Sequence, residues 1–499
     1  MAVTGASSGG GSQPKGKLSN VLFPVLALVL QIIFIIVLGC LAKYPEEADA
    51  RVDDQNFNRE TPTVHQTYPL FVDVHAMVFV GLGFLWTFLK RYGYSSLGFN
   101  LLIAVIAIQW ALIVRGLIDT DGAHIPVGVR DLILADFAAA AVLISFGALL
   151  GKVNPLQVLL LALIEIPLAI VSEYIGITLF QAVDVGRSMF VHLFGAYFGI
   201  ACARALYQPY HSDDLREESI YHSDLFSVLG TLFLWVFWPS FNGAMAEADG
   251  RHRAIVNTYL ALVASATITI ILSLLTSKKK RLEMVHVQNA TLAGGVAIGT
   301  MANLVIQPFA ALLVGLVAGL ISTVGFVYIQ PVLRKANVHD TRGVFNVHGL
   351  PGLVAAIGGA IAAGVASTDQ YGLNLYRLFP PRFPTNWTYL PEAYLDVPNH
   401  VLRALNESAA DRTGGEQAGY QLAALGTTLL IAIVGGFITG ILLKLKFLDG
   451  PTQAEVYDDA PYWELAPELS STNYTVVRQT TSGDKEILEM TIHSQPQPV

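Results

Sequence analysis

The chain has 499 residues, 53% of them hydrophobic and 14% charged, with a mean hydropathy of +0.52. A soluble domain carries about 25% charged residues, so the polar coat that water demands is missing, and the collagen, coiled-coil and disordered classes fail with it. Two cysteines exclude a disulfide scaffold, and 30 basic against 38 acidic residues leave no basic face for nucleic acid. This is the composition of an integral membrane protein.

A helix needs about 20 apolar residues to cross the hydrocarbon. In chain order that length predicts twelve spans: 21–43, 69–90, 96–118, 129–150, 155–180, 188–208, 223–245, 254–276, 285–303, 305–332, 345–366 and 418–446. The first is too long for a signal-peptide core and follows a Gly/Ser-rich tail with no cleavage pattern, so it reads as a membrane helix. The ninth is the softest, since Gln288, Asn289 and Thr291 lie inside it. The expected fold class is an all-α polytopic membrane protein. A tail over 1–20 leads into a transmembrane domain over 21–448, and a second tail covers 449–499.

Twelve spans put both ends on one side. With the N-terminus cytoplasmic, Lys15 and Lys17, Lys90 and Arg91, Lys152, the run Lys278–Arg281, and Arg334 and Lys335 all fall inside, as the positive-inside rule expects. Of four Asn-x-Ser/Thr sequons, Asn386 and Asn406 lie in the predicted extracellular loop 367–417 and are the expected glycosylation sites. Asn289 sits at a membrane boundary and Asn473 in the cytoplasmic tail. In that tail Asp458, Asp459, Tyr462, Trp463 and Glu464 form a candidate docking patch for a cytoplasmic partner, though the preferred reading is a solvated tail.

Ionisable side chains inside a membrane are costly and therefore candidates for function. Asp184 stands eight residues before His192 at the outer mouth of span six, and Asp340 eight before His348 at the inner mouth of span eleven. One such motif alone reads as a capped helix with a satisfied core histidine. The same spacing entering from opposite faces is instead the mark of an inverted-topology repeat, with a site where the halves meet. The halves are spans two to six (about 69–208) and seven to eleven (about 223–366), with spans one and twelve added. Eight residues of helix rise about 12 Å, enough to bring the two imidazoles level. Each Asp, at a helix N-terminus, can accept backbone N–H groups. Phe137 and Phe241 lie in the neighbouring spans, where rings can narrow a path and hold a cation by cation–π attraction. Gly436 and Gly440 form a GxxxG pair that fits either packing within the chain or a contact between subunits.

At these residues the chain resembles the Rh glycoprotein branch of the ammonium transporter (Amt/Rh) family. The likeness runs through VDVHAMVFVGLGFL at 72–85, ADF at 135–137, SMFVHLFGAYFG at 188–199, SDLFSVLGTLFLWVFWPSFN at 223–242, VHVQNATLAGGVAIGT at 285–300 and NVHGLPG at 346–352. It implies a homotrimer in the plasma membrane, each subunit with its own pore, and no cofactor or metal. It implies that His192 and His348 are the twin histidines of that pore and that Phe137 and Phe241 are its outer gate. By the same resemblance Glu173 is an acid of the outer vestibule, Asp184 and Asp340 are structural acids, and Asp224, Asn242 and Glu283 are polar groups near the path. The loop over 44–68 departs from the mammalian pattern, which carries its glycan between spans one and two, because it has no sequon.

An ammonium ion in such a path would bear the heavy cost of an unpaired buried charge, whereas neutral ammonia would not. The expected function is therefore passage of NH3, with the small uncharged molecule CO2 as a second candidate. Glu173 is expected to concentrate cations at the mouth. A non-conducting scaffold or sensor acting through its trimer and tail is the alternative. A metal enzyme using His192, His348, Asp73 and His75 is disfavoured, since residues two apart face different sides of a helix.

Overall fold

A computed structural model describes residues 18–45, 48, 62–120, 122, 124–212, 214–385, 409–466, 472–479 and 485–492. The bundle runs through α1 (Leu18–Leu41), α2 (Val64–Phe88), α3 (Gly93–Asp119), α4 (Val129–Leu149), α5 (Pro155–Leu179), α6 (Ser188–Leu206), α7 (Tyr221–Gly243) and α8 (Asp249–Thr276). After α9, over 284–301, come α10 (Pro308–Lys335), α11 (Phe345–Val365) and α12 (Gly414–Leu442). Eleven of these are long and apolar enough to cross a membrane, and the chain is a multi-pass membrane protein.

The exception, span nine, is a broken helix rather than a continuous one. Residues 284–301 form two six-residue α-helical pieces, each followed by a 3-10 turn. Asn289 and Thr291 turn their side chains back onto the carbonyls of Val285 and Val287, which weakens a helical ladder. The last helix starts at Gly414 rather than 418, because Thr413 and Glu416 cap it reciprocally: Thr413 Oγ1 accepts the Glu416 N–H at 3.1 Å, and Glu416 Oε2 accepts that of Thr413 at 2.8 Å. Asn386 and Asn406 lie outside the described residues.

Lys90, Lys152, Glu217, Arg334 and the tail gather at one end of the bundle, here the basic end. At the opposite end a short parallel pairing joins β1 (Ala42–Lys43) to β2 (Ile125–Pro126).

Two five-helix halves, α2–α6 and α7–α11, carry matching irregularities. α5 ends in a π-helical turn at Ile175–Leu179 and α10 contains one at Gly325–Ile329; α6 opens with another at Ser188–Leu193 and α11 with one at Phe345–Gly349. At Gly176 a Cβ would stand 2.2 Å from the Phe190 ring, and at Gly325 one would stand 2.4 Å from Asn346 Oδ1. Each half thus needs a glycine where the end of its fourth helix meets the start of its fifth.

α12 lies against α6, with Gly436 on the Phe198 carbonyl and Gly440 on that of Cys202. The GxxxG pair therefore packs within the chain. α1 has only 6% of its apolar window buried.

The tail corrects another expectation. Residues 449–463 lie back across the basic end instead of extending into solvent. Asp459 accepts N–H bonds from Tyr94 and Ser95 in the first turn of α3, at 2.9 and 2.7 Å, where an acid favours the helix dipole. Trp463 Nε1 donates to Ser95 Oγ at 2.9 Å, Arg91 Nε to Asp458 at 2.9 Å, and Tyr457 O–H to the His211 carbonyl at 2.8 Å. The acidic-aromatic patch is thus used by the protein's own helices. Further on, β3 (Thr472–Gln479) and β4 (Lys485–Ile492) pair antiparallel.

Candidate functional site

The two Asp–His motifs meet between the halves. Asp184 accepts the N–H groups of Ser188, Met189 and Phe190 at 3.0, 2.8 and 3.3 Å, and the Thr300 hydroxyl at 2.7 Å. Asp340 accepts those of Gly343, Val344 and Phe345 at 2.9, 3.1 and 2.9 Å. Both carboxylates satisfy donors that a helix start leaves unbonded. Each cap launches a π-helical turn carrying its histidine.

The imidazoles of His192 and His348 lie parallel, with centroids 5.2 Å apart and planes 7° apart. Both are buried, and neither ring nitrogen of His192 has a protein partner among the described residues. They face a narrow cavity of about 20 Å³ whose other walls are Met77, Val78 and Leu82 from α2, Ala140 and Ile144 from α4, and Leu234, Trp238 and Phe241 from α7. That volume holds about one water-sized molecule. Trp238 stacks on His192 at 5.3 Å, fixing the ring from one side. Among the described lining residues there is no carboxylate, so a cation there would lack a counter-charge.

Phe241, one of the walls of this cavity, meets Phe137, with centroids 4.5 Å apart and planes at 49°. A separate, larger cavity of about 690 Å³ is lined among others by Arg130, Arg187, Arg253 and Arg377 and by Glu247 and Asp249.

Glu173 does not stand free. Its side chain is held between two guanidiniums, Arg115 Nη2 at 2.5 Å and Arg187 Nη2 at 3.0 Å. A carboxylate neutralised twice cannot concentrate cations, which corrects the expected role. The three expected path groups also lie elsewhere. Asn242 faces away from the histidines, donating to Thr258 Oγ1 at 2.9 Å and the Gly295 carbonyl at 3.0 Å. Asp224 accepts from Ser219 and Gln288, both at 3.0 Å, near the basic end. Glu283 is exposed before α9.

Two polar groups, Glu165 and Asp136, escaped the sequence reading. Glu165 is fully buried in α5 and accepts the Ser145 hydroxyl at 2.6 Å; its signal was an acid inside an apolar run. Asp136, beside Phe137, is paired with His75 at 3.2 Å, and Asp73 accepts the Ser240 hydroxyl at 2.5 Å. Asp73 and His75 therefore do not join the histidine pair as a ligand set.

Residues 33–462 match the model of the Ammonium Transporter Family. The chain is 43% identical over 458 residues to the ammonium transporter Rh type C of Canis lupus familiaris, covering 90% of this chain and 95% of that protein. It is 44% identical over 450 residues to the ammonium transporter Rh type B of Sus scrofa, covering 89% and 93%. Among solved structures it resembles the Rh50 channel of Nitrosomonas europaea at 32% identity and a TM-score of 0.65, covering 82% of this chain and 95% of that one. With the fold, the paired histidines and these relatives together, the chain belongs to the Ammonium Transporter Family, on its Rh side.

Proposed function

We propose that this protein carries ammonia across the plasma membrane as neutral NH3, through the cavity between His192 and His348. Each subunit of a homotrimer holds one such path, and the basic end with both termini faces the cytoplasm. The observation that carries the reading is a pair of parallel imidazoles exposing ring nitrogens to an apolar space about one molecule wide.

The selectivity follows from desolvation. An ammonium ion reaching the mouth meets Phe137 and Phe241, whose ring faces attract a cation without replacing its water. Further passage as an ion would strip that water with no carboxylate to compensate. The proton is therefore left to water in the wide mouth, and NH3 proceeds by hydrogen bonding to one imidazole after the other. Two rings this close titrate as a pair, and charging both in one apolar space is strongly disfavoured. Carbon dioxide, small and uncharged, fits the same path. The mouth works by release of the proton into a mixed-charge cavity, with Glu173 holding Arg115 and Arg187 in place.

The test is flux in proteoliposomes of the full chain, with voltage and internal pH recorded together. Internal alkalinisation without net current is expected, and His192→Ala or His348→Ala should remove most of it. Undiminished flux in both variants would overturn the assignment. A scaffold would give no flux even from the wild type.

A further inference from the structure

The motif VDVH on α2 has no part in the cavity wall, yet both its ionisable side chains reach across to the gate. Asp73 accepts the Ser240 hydroxyl from α7 at 2.5 Å, and Ser240 precedes Phe241. His75 Nδ1 lies 3.2 Å from Asp136 on α4, and Asp136 precedes Phe137. Phe137 and Phe241 then meet each other at 4.5 Å. Three helices thus make three pairwise contacts in one layer, and two of the three run through α2. Residues two apart on a helix point about 200° apart, which is how one short motif serves α7 and α4 at once. Asp136 is buried to 1% exposure, and His75 is its one side-chain partner among the described residues. The His75 ring is itself held between Phe71 at 5.1 Å and Phe79 at 4.4 Å. Met77, next but one along α2, begins both the cavity wall and a π-helical turn.

We infer that Asp73 and His75 are positioning residues that set the separation of Phe137 and Phe241, and so the size of cation or amine admitted. This rests on the reading of those rings as the gate of a conducting path. Asp136 is a buried carboxylate with one side-chain partner, which is costly to maintain, while Asp73 is half-buried; the two polar contacts act on the residues next to the two rings. The clamp fixes an aperture rather than touching the permeant molecule. Loosening it should let a bulkier amine through while leaving the histidine pair intact.

The measurement is the ratio of methylammonium to ammonia flux in proteoliposomes of the full chain. Ser240→Ala and His75→Ala should each raise that ratio about fivefold, the factor a lost hydrogen bond is typically worth. His75→Asn, which restores a donor toward Asp136, should return it toward the wild-type value. Misfolding lowers both fluxes together and leaves the ratio alone, so the ratio separates positioning from simple loss of structure. Should His75→Ala not fold, Ser240→Ala, the loss of one hydroxyl, decides the matter. Wild-type ratios in conducting variants would overturn the inference. Absence of ammonia flux in the wild type would instead overturn the gate reading on which it stands.

Discussion

Lys152 offers a prediction whose size and sign both come from its surroundings. It lies in the turn between α4 and α5, 3% exposed, donating to the His339 carbonyl and facing His339 Nδ1 at 3.2 Å. Glu217 receives His339 Nε2 at 3.2 Å and Arg334 at 2.5 Å. Burial pushes the lysine down from 10.5 to about 7, with Asp340 and Glu217 opposing the shift and Arg334 adding to it. The folded value lies below the unfolded one, so folding disfavours the charged form. Below pH 7 both states carry the proton and the full cost is present. Between about 7 and 10.5 the unfolded chain keeps the proton while the folded one releases it, so stability rises with pH. At 1.36 kcal/mol per unit the depression corresponds to about 5 kcal/mol.

Lys152→Met removes that cost and also a hydrogen bond to the His339 carbonyl, worth ~1–2 kcal/mol. It orphans neither acid, since Asp340 keeps its three N–H donors and Glu217 keeps His339 and Arg334. The neighbouring His211 is pushed down to about 3, chiefly by burial, and stays neutral throughout. The variant should therefore be more stable by about 3 kcal/mol at pH 6, the gain shrinking by pH 9. Apparent Tm of the full chain in detergent, measured at both pH values, checks this. A loss of stability at pH 6, or a gain equal at both, would refute the reasoning.

Three further outcomes are expected. Glu173→Gln leaves Arg115 and Arg187 as buried cations sharing no acid, so it should lower stability by about 3–5 kcal/mol in a thermal-shift assay. Gly436→Ala forces a Cβ to 2.3 Å from the Phe198 carbonyl, and separating α12 from α6 should cost about 1–3 kcal/mol by the same assay. Trp463→Ala removes a ring seated on Gly98 and the bond to Ser95; the tail should then become sensitive to limited proteolysis while α3 stays protected.

The helical spans were legible because an uninterrupted apolar run of sufficient length has few other solutions. The facing histidines were legible because each has its cap eight residues before it, a local relation. Glu173 was misread because the two arginines that neutralise it come from α3 and from the turn before α6. The docking of Asp459 was hidden for the same reason: its partners, Tyr94 and Ser95, are more than 360 residues away. Asn242 was placed near the path by the resemblance alone; it adjoins Phe241, but successive residues on a helix point about 100° apart. Asp73 and His75 were dismissed together because they diverge, and that divergence is what lets each reach a different helix.

The π-helical turns at Ser188–Leu193 and Phe345–Gly349 bear on how such a sequence can vary. A turn of this kind holds one residue more than the α-helical turn it replaces. Deleting a single residue between cap and imidazole would therefore still leave a well-formed helix, indeed a more regular one. The ring, however, would swing by about 100° and face its neighbours' backbones. Drift around these histidines is thus confined to exchanges of one side chain for another, while changes of length are barred there even though the surrounding helices would tolerate them.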